Sequence, residues 1–202
     1  MYYNSPMENT TPEEITEEVK HPSKIKGIAI EIGKFLFILV FIVIPFRMFV
    51  AQPFVVEGAS MDNTFHSGEY LIVDQLSYEL GNPERGSVLI FKYPKNPSQF
   101  FIKRVIGMPG ETISISNGIV TIINSEHREG FVLDEPYLGS EKMDTVTTIL
   151  KSDEYFVMGD NRAVSSDSRY WGPVSKKYII GRPFLRLFPL TSLSIFPGDY
   201  SN

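Results

Sequence analysis

The chain has 202 residues, enough for one folded domain with an appended segment, and it contains no cysteine. Without cysteine there is no disulfide, no thiolate nucleophile and no thiolate-bound zinc. A formal net charge of −5 provides no basic footprint for nucleic acid. The 3 histidines, His21, His66 and His127, show no ligand spacing, so neither a metal nor another cofactor is expected.

In chain order, residues 1–26 are polar and acidic, with Glu13, Glu14, Glu17 and Glu18 close together, and read as a cytoplasmic tail. Residues 27–51 follow as an apolar stretch whose uninterrupted heart runs from Phe35 to Phe46. At the helical rise, Phe35 to Ala51 reaches roughly 25 Å, a little short of a hydrocarbon core of about 30 Å. Ile28 to Ile32 add the missing length, and Lys34 and Arg47 can snorkel toward the interface. A buried core helix lacks anything to wrap it. A cleaved leader is disfavoured by the long preceding tail and by the lack of an Ala-x-Ala-type site. The stretch therefore reads as an uncleaved, single-pass transmembrane anchor. Lys20, Lys24 and Lys26 precede it, and no Lys or Arg lies between Arg47 and Arg85. The positive-inside rule then puts the N-terminus in the cytoplasm and residues 52–202 outside.

Residues 52–202 read as a mostly β body. Runs at 70–78, 87–93, 100–107, 111–116, 118–124 and 155–159 are short and rich in Val, Ile, Phe and Tyr, with Gly, Pro and Asn between them. Asn117-Gly118 predicts a two-residue hairpin turn. Residues 125–152 are more polar and predict a loop-rich excursion, and no long amphipathic helix is expected after residue 51.

Three segments carry candidate chemistry. In Glu57-Gly-Ala-Ser60-Met61 the small residues Gly58 and Ala59 allow another backbone to approach Ser60; alone, this could equally be a polar loop. In Phe100-Phe-Ile-Lys103-Arg104-Val-Ile-Gly107, strand alternation puts Lys103 on one face with Phe101 and Val105, and Arg104 on the other with Ile102 and Ile106. A lysine sheltered without a carboxylate loses its proton and becomes a general base, which an arginine cannot do. The plain alternative is an edge strand with both cations in water. The third segment, Gly159 to Gly172, concentrates Asp160, Arg162, Asp167 and Arg169 with serines and Trp171. Bidentate Asp–Arg forks would make such a loop rigid.

Together and in this order, these segments resemble the type I signal peptidases of bacteria, serine proteases with a Ser-Lys dyad. KRVIGMPGE (103–111) and GDNRAVSSDSRYWG (159–172) match the family signatures almost letter for letter. The resemblance implies an antiparallel β catalytic body behind one N-terminal transmembrane helix, in a cell-membrane enzyme that removes signal peptides from exported preproteins. It implies Ser60 as nucleophile and Lys103 as general base. Ser165 would hydrogen-bond to the lysine and orient it, and Asp160, Arg162, Asp167 and Arg169 would brace the site. It also implies cleavage after small residues at −1 and −3, with the leader paired to an exposed strand edge. Phe54, Val56, Met61, Phe101 and Ile102 are the candidate substrate-binding residues. The expected partners are preproteins and the lipid bilayer. The single anchor and short excursion look Gram-positive.

Two positions depart from the family pattern. Asn63 stands where the family has proline, which predicts a softer turn behind Ser60. Gly58 stands where some members have a serine that helps the oxyanion hole, leaving the Ser60 N–H as the clear donor of this segment. Asn63 is the motive for an alternative reading, a catalytically silent paralogue that binds preproteins or acts as a scaffold. A Ser-His-Asp hydrolase built on His66 is disfavoured because no Gly-x-Ser-x-Gly elbow is present.

Overall fold

The computed structural model describes residues 24–44, 51–140 and 142–200. The acidic tail up to residue 23 and residues 45–50 of the expected anchor lie outside the described residues. The chain divides after Ile42 into two compact units. In the first, helix α1 (Lys24–Ile38) runs into a π-helical turn, Leu39–Val43. Its large side chains, including Ile28, Phe35, Phe37 and Phe41, are exposed. No helix among the described residues is long and apolar enough to cross a membrane.

The second unit is antiparallel β, as the short alternating runs predict. One sheet joins β1 (Ala51–Val55), β2 (Tyr70–Asp74), β11 (Ile179–Phe188), β3 (Val88–Tyr93), β4 (Asn96–Gly107), β9 (Glu154–Met158) and β10 (Val174–Ser175) in that spatial order, with β12 (Ser194–Ile195) on β11. A second sheet orders β7 (Phe131–Val132), β6 (Ile119–Ile123), β5 (Thr112–Ser116) and β8 (Val146–Ile149). The β5–β6 hairpin closes through Asn117 at φ 49° and Gly118 at φ 80°, the two positive values that its turn requires. Strands β7 and β8 come from the excursion at 125–152, which is loop-rich but contributes both edges of the second sheet.

The run at 70–78 is only half strand. After β2 the chain turns into a short helix, Leu76–Leu80. Asp74 Oδ1 accepts the Ser77 N–H at 3.1 Å, and this local bond competes with strand continuation. Ala51, expected to end the anchor, instead opens β1 and pairs with Asp74.

The pairing of β3 with β4 sets Leu89 opposite Lys103 and Val88 opposite Arg104. On the lysine side, Leu89, Phe91, Val105, Tyr155 and Val157 form one apolar cluster, with Phe101 and Trp171 packed against it. On the other side, Ile106 and Met158 join Ile113, Ile115 and Ile122 of the second sheet. A third cluster, Val56, Met61, Phe65, Leu71 and Val88, underlies the segment around Ser60. Around Lys103 and Arg104 both faces of β4 are thus core, and both cations are buried.

Candidate active site

Strand β1 delivers the chain to Ser60. Val56 extends the β1–β2 ladder, donating its N–H to Glu69 O at 2.9 Å and accepting from Gly68 N–H at 2.9 Å. Gly58 then turns the chain at φ 87°, a value that suits glycine and strains any other L-residue. A serine at that position would carry this strain. The turn after Ser60 closes through Thr64 N–H to Met61 O at 3.0 Å and Phe65 N–H to Met61 O at 2.8 Å. Asn63 sits at φ 82°, which a proline ring forbids. The departure from the family pattern therefore comes with a different backbone, of a kind that asparagine tolerates. Its side-chain amide lies so close to Gly139 that a Cβ there would collide with it.

Lys103 is 4% exposed, and its Nζ is hydrogen-bonded to Ser60 Oγ at 2.6 Å and to Ile102 O at 2.8 Å. No carboxylate forms an ion pair with it among the described residues. Burial pushes the amine down from 10.5 to about 8, while Asp167 and Asp160 act in the opposite direction. Near pH 7 a minority of the amine, roughly one-tenth, is then neutral, and that share grows as pH rises toward 8. A neutral amine carries a lone pair that can accept the Ser60 proton. The Ser60 N–H donates to no acceptor among the described residues, so it is available to a developing oxyanion. His66 lies against Asp62 at 3.4 Å on the surface and makes no bond to Ser60.

Arg104, one residue on and facing the opposite way, is fully buried. It forms a bidentate pair with Asp160, Nε to Oδ1 at 2.8 Å and Nη2 to Oδ2 at 2.6 Å, and Thr64 Oγ1 donates to the same carboxylate. Arg104 is not among the site residues expected from the sequence. Its signal is the apolar character of both faces of the run, which buries whichever cation does not face the cleft.

The loop after β9 is braced as its Asp and Arg residues suggest, with a different pairing. Only Asp167 and Arg169 fork within the loop, with both contacts at 2.8 Å. Arg169 also reaches Asp144 at 2.6 Å. Arg162 pairs with Glu135 of the excursion and donates to Gly159 O at 3.1 Å. Glu135 and Asp144 escaped sequence reasoning because nothing local marks a carboxylate that will meet an arginine 27 or 25 positions away. The loop also grips the Ser60 segment directly, for Asn161 N–H donates to Ser60 O at 3.1 Å.

Two expectations are corrected. Ser165 is buried, but its Oγ has no hydrogen-bond partner, so the implied bond to Lys103 is absent; its backbone N–H is tied instead to Asn161 O at 3.1 Å. Met61 does not line the cleft. It is 1% exposed in the cluster beneath Ser60, because the tight turn directs it inward.

Phe54, Val56, Phe101 and Ile102 do line a cleft of about 780 Å³ with Ser60 and Lys103 at its floor. Gln99, Phe100, Val164 and Ser166 are among its other lining residues and were not anticipated. Phe54 and Phe100, both lining the cleft, meet edge-to-face at 5.3 Å. Strand β4 pairs with β9 only from Arg104 onward, so Asn96–Lys103 presents a free edge there.

The order and identity of these segments agree with a comparison across protein families. The model described as signal peptidase, peptidase S26 matches residues 29–188. The chain belongs to that family. It is 34% identical over 176 residues to a probable signal peptidase I-2 of Synechocystis sp., covering 84% of this chain and 78% of that protein. It is 36% identical over 168 residues to a signal peptidase I of Bacillus caldolyticus, covering 76% and 88%. A solved signal peptidase I from Enterococcus faecalis V583 is 30% identical, with a TM-score of 0.43 over 50% of this chain and 96% of that one. The chain is accordingly an enzyme, a hydrolase of the serine endopeptidase class that cleaves signal peptides, and the silent-paralogue alternative is not favoured.

Gly159 is where the bracing loop packs directly against Ser60 in the peptidase site. A Cβ there would collide with Ser165 Oγ and with the Ser60 carbonyl oxygen. Gly159→Ala is therefore expected to displace Ser60 and lower kcat on a precursor peptide by about 10²-fold, measured by steady-state cleavage.

Proposed function

We propose that this peptidase is anchored in the cell membrane by residues 27–51, with its N-terminus in the cytoplasm, and cleaves preproteins through Ser60 and Lys103. The observation that carries this reading is the 2.6 Å contact between Ser60 Oγ and a buried lysine amine. Lys103 accepts the hydroxyl proton as Ser60 Oγ attacks the scissile carbonyl, and the Ser60 N–H receives the oxyanion. The lysine then protonates the departing amine, releasing the mature chain. It next takes a proton from water, which attacks the acyl-enzyme ester, and returns that proton to Ser60 as the leader leaves. No metal or other cofactor enters these steps.

Substrate recognition in this reading is by strand addition. The leader lies extended along the free edge of β4, where main-chain hydrogen bonds supply affinity. Phe54, Val56, Phe101 and Ile102 wall the cleft beside Ser60 with apolar side chains, and this reading has them receive small residues at −1 and −3. Support for the anchor is the apolar run from Phe35 to Phe46 and the exposed apolar side chains of α1. Confining enzyme and preprotein to one bilayer raises their effective concentration.

The test is the pH dependence of kcat/KM. Protonated Lys103 cannot accept a proton, so activity should rise with pH through an acidic limb near 8, the lowered value of this amine. Ser60→Ala should be inactive across the whole range. A limb near the free-lysine value, about 10.4, would sink the sheltered-base reading.

A further inference from the structure

Beneath the Ser60 turn, on the side away from the cleft, the chain passes once more as residues 196–200. Phe196 takes φ 48° and is tied by its N–H to Phe184 O at 2.8 Å. Pro197 is buried. Gly198, at φ 82°, approaches so closely that a Cβ there would lie 2.8 Å from the Phe65 ring and 2.9 Å from Thr64 Cγ2. Its carbonyl accepts Arg104 Nη1 at 2.6 Å. Tyr200 then covers the guanidinium, its ring 5.0 Å from Arg104 Cζ and 5.5 Å from the Tyr137 ring, which sits 4.0 Å from the same carbon. The Tyr200 carbonyl also lies 2.9 Å from where a Cβ of Gly86 would be.

Arg104 is thus closed on every side: Asp160 at one edge, the Gly86 and Gly198 carbonyls at Nη1, and aromatic rings near its plane. Two of these contacts belong to the C-terminal segment. A buried guanidinium needs its full set of partners, since a missing one leaves an uncompensated N–H or lets water in. Arg104 and Asp160 in turn fix the nucleophile. Asp160 accepts from Thr64, four residues past Ser60, and its neighbour Asn161 holds the Ser60 carbonyl. Arg104 follows Lys103 in the same strand, so its orientation sets that of the base.

We propose that residues 196–200 form a strap that positions the Ser60–Lys103 pair. By completing the shell around Arg104 and wedging Gly198 under Thr64 and Phe65, the strap holds the turn that presents the serine to the lysine. The strap touches neither the substrate cleft nor the reacting atoms, so Tyr200 and Gly198 are positioning residues. The proposal rests on the Ser60–Lys103 reading above.

The full chain carrying Tyr200→Ala, Tyr200→Phe or Gly198→Ala tests it, with Lys103→Met as reference and a synthetic precursor with Ala at −1 and −3 as substrate. Tyr200→Ala and Gly198→Ala should each lower kcat by about tenfold or more. KM should stay within about twofold, because the cleft walls are untouched. Tyr200→Phe should keep the wild-type kcat, since the ring and not the hydroxyl covers Arg104. If Gly198→Ala fails to fold, the Tyr200 pair decides alone, as that residue is 42% exposed and its truncation opens no enclosed cavity. Wild-type kcat in Tyr200→Ala overturns the proposal, as does an equal loss in Tyr200→Phe or a loss confined to KM. Lys103→Met that still cleaves overturns the dyad reading and the strap with it. Inactive Lys103→Met beside fully active Tyr200→Ala overturns the strap alone.

Discussion

Lys103→Met is expected to lower cleavage of a precursor peptide by about 10⁴-fold while the protein stays folded. Methionine has nearly the length of lysine and no basic nitrogen, so Ser60 loses its proton acceptor while Leu89, Phe101 and Val105 keep a neighbour. Lys103→Arg should fail as well, because a guanidinium holds its proton at every accessible pH and is too large for the space beside Ser60. Stability should move the other way from activity. The lysine amine is lowered to about 8 in the fold and returns to 10.5 when unfolded. Below pH 8 both states carry the proton, and the fold bears the full cost of burying the charge. Between 8 and 10.5 only the unfolded chain carries it, so wild-type stability rises with pH across that window. The melting temperature of Lys103→Met should therefore exceed that of wild type most clearly below pH 8, with the gap narrowing toward 10.5. Melting curves of the two proteins at pH 7 and pH 10 read this directly. A gap that widens with pH would contradict a buried, carboxylate-free amine.

Asp160→Ala is expected to destabilise the β unit by about 3–5 kcal/mol and to abolish most activity. Both partners of the Arg104–Asp160 pair are fully buried. Removing the carboxylate strands a guanidinium with no access to water and frees the Thr64 hydroxyl that anchors the turn after Ser60. Arg104→Met should cost a comparable amount, leaving Asp160 with Thr64 alone. The double variant, Arg104→Met with Asp160→Leu, should recover part of the stability, because an apolar pair of similar bulk carries no desolvation penalty. It should not recover activity, since the link from Asp160 to Thr64 is gone. Denaturant titration of the set, alongside cleavage assays, separates the two effects. If the single variants lose less than about 1 kcal/mol, water reaches the pair and the closed shell around Arg104 is wrong.

Much of this molecule was legible in its sequence, for reasons that are local. Alternation along 100–107 predicted that Lys103 and Arg104 point to opposite apolar faces, and the β3–β4 register places them so. Asn117-Gly118 specified a hairpin because two consecutive positive φ values suit few other residue pairs. The Ser60, Lys103 and Gly159–Gly172 segments carried the family resemblance in their residue types alone. The tertiary structure decided what depends on distant parts of the chain. Arg104 finds Asp160 across 56 positions, and Arg162 chooses Glu135 over the aspartates of its own loop. The short helix after β2, the inward turn of Met61 and the return of residues 196–200 beneath Ser60 follow the same rule. Periodicity and turn chemistry act over a few residues and can be read from them. Ion-pair partners and the burial of a charge depend on which faces and edges remain once every strand has been packed, and that is a property of the whole fold.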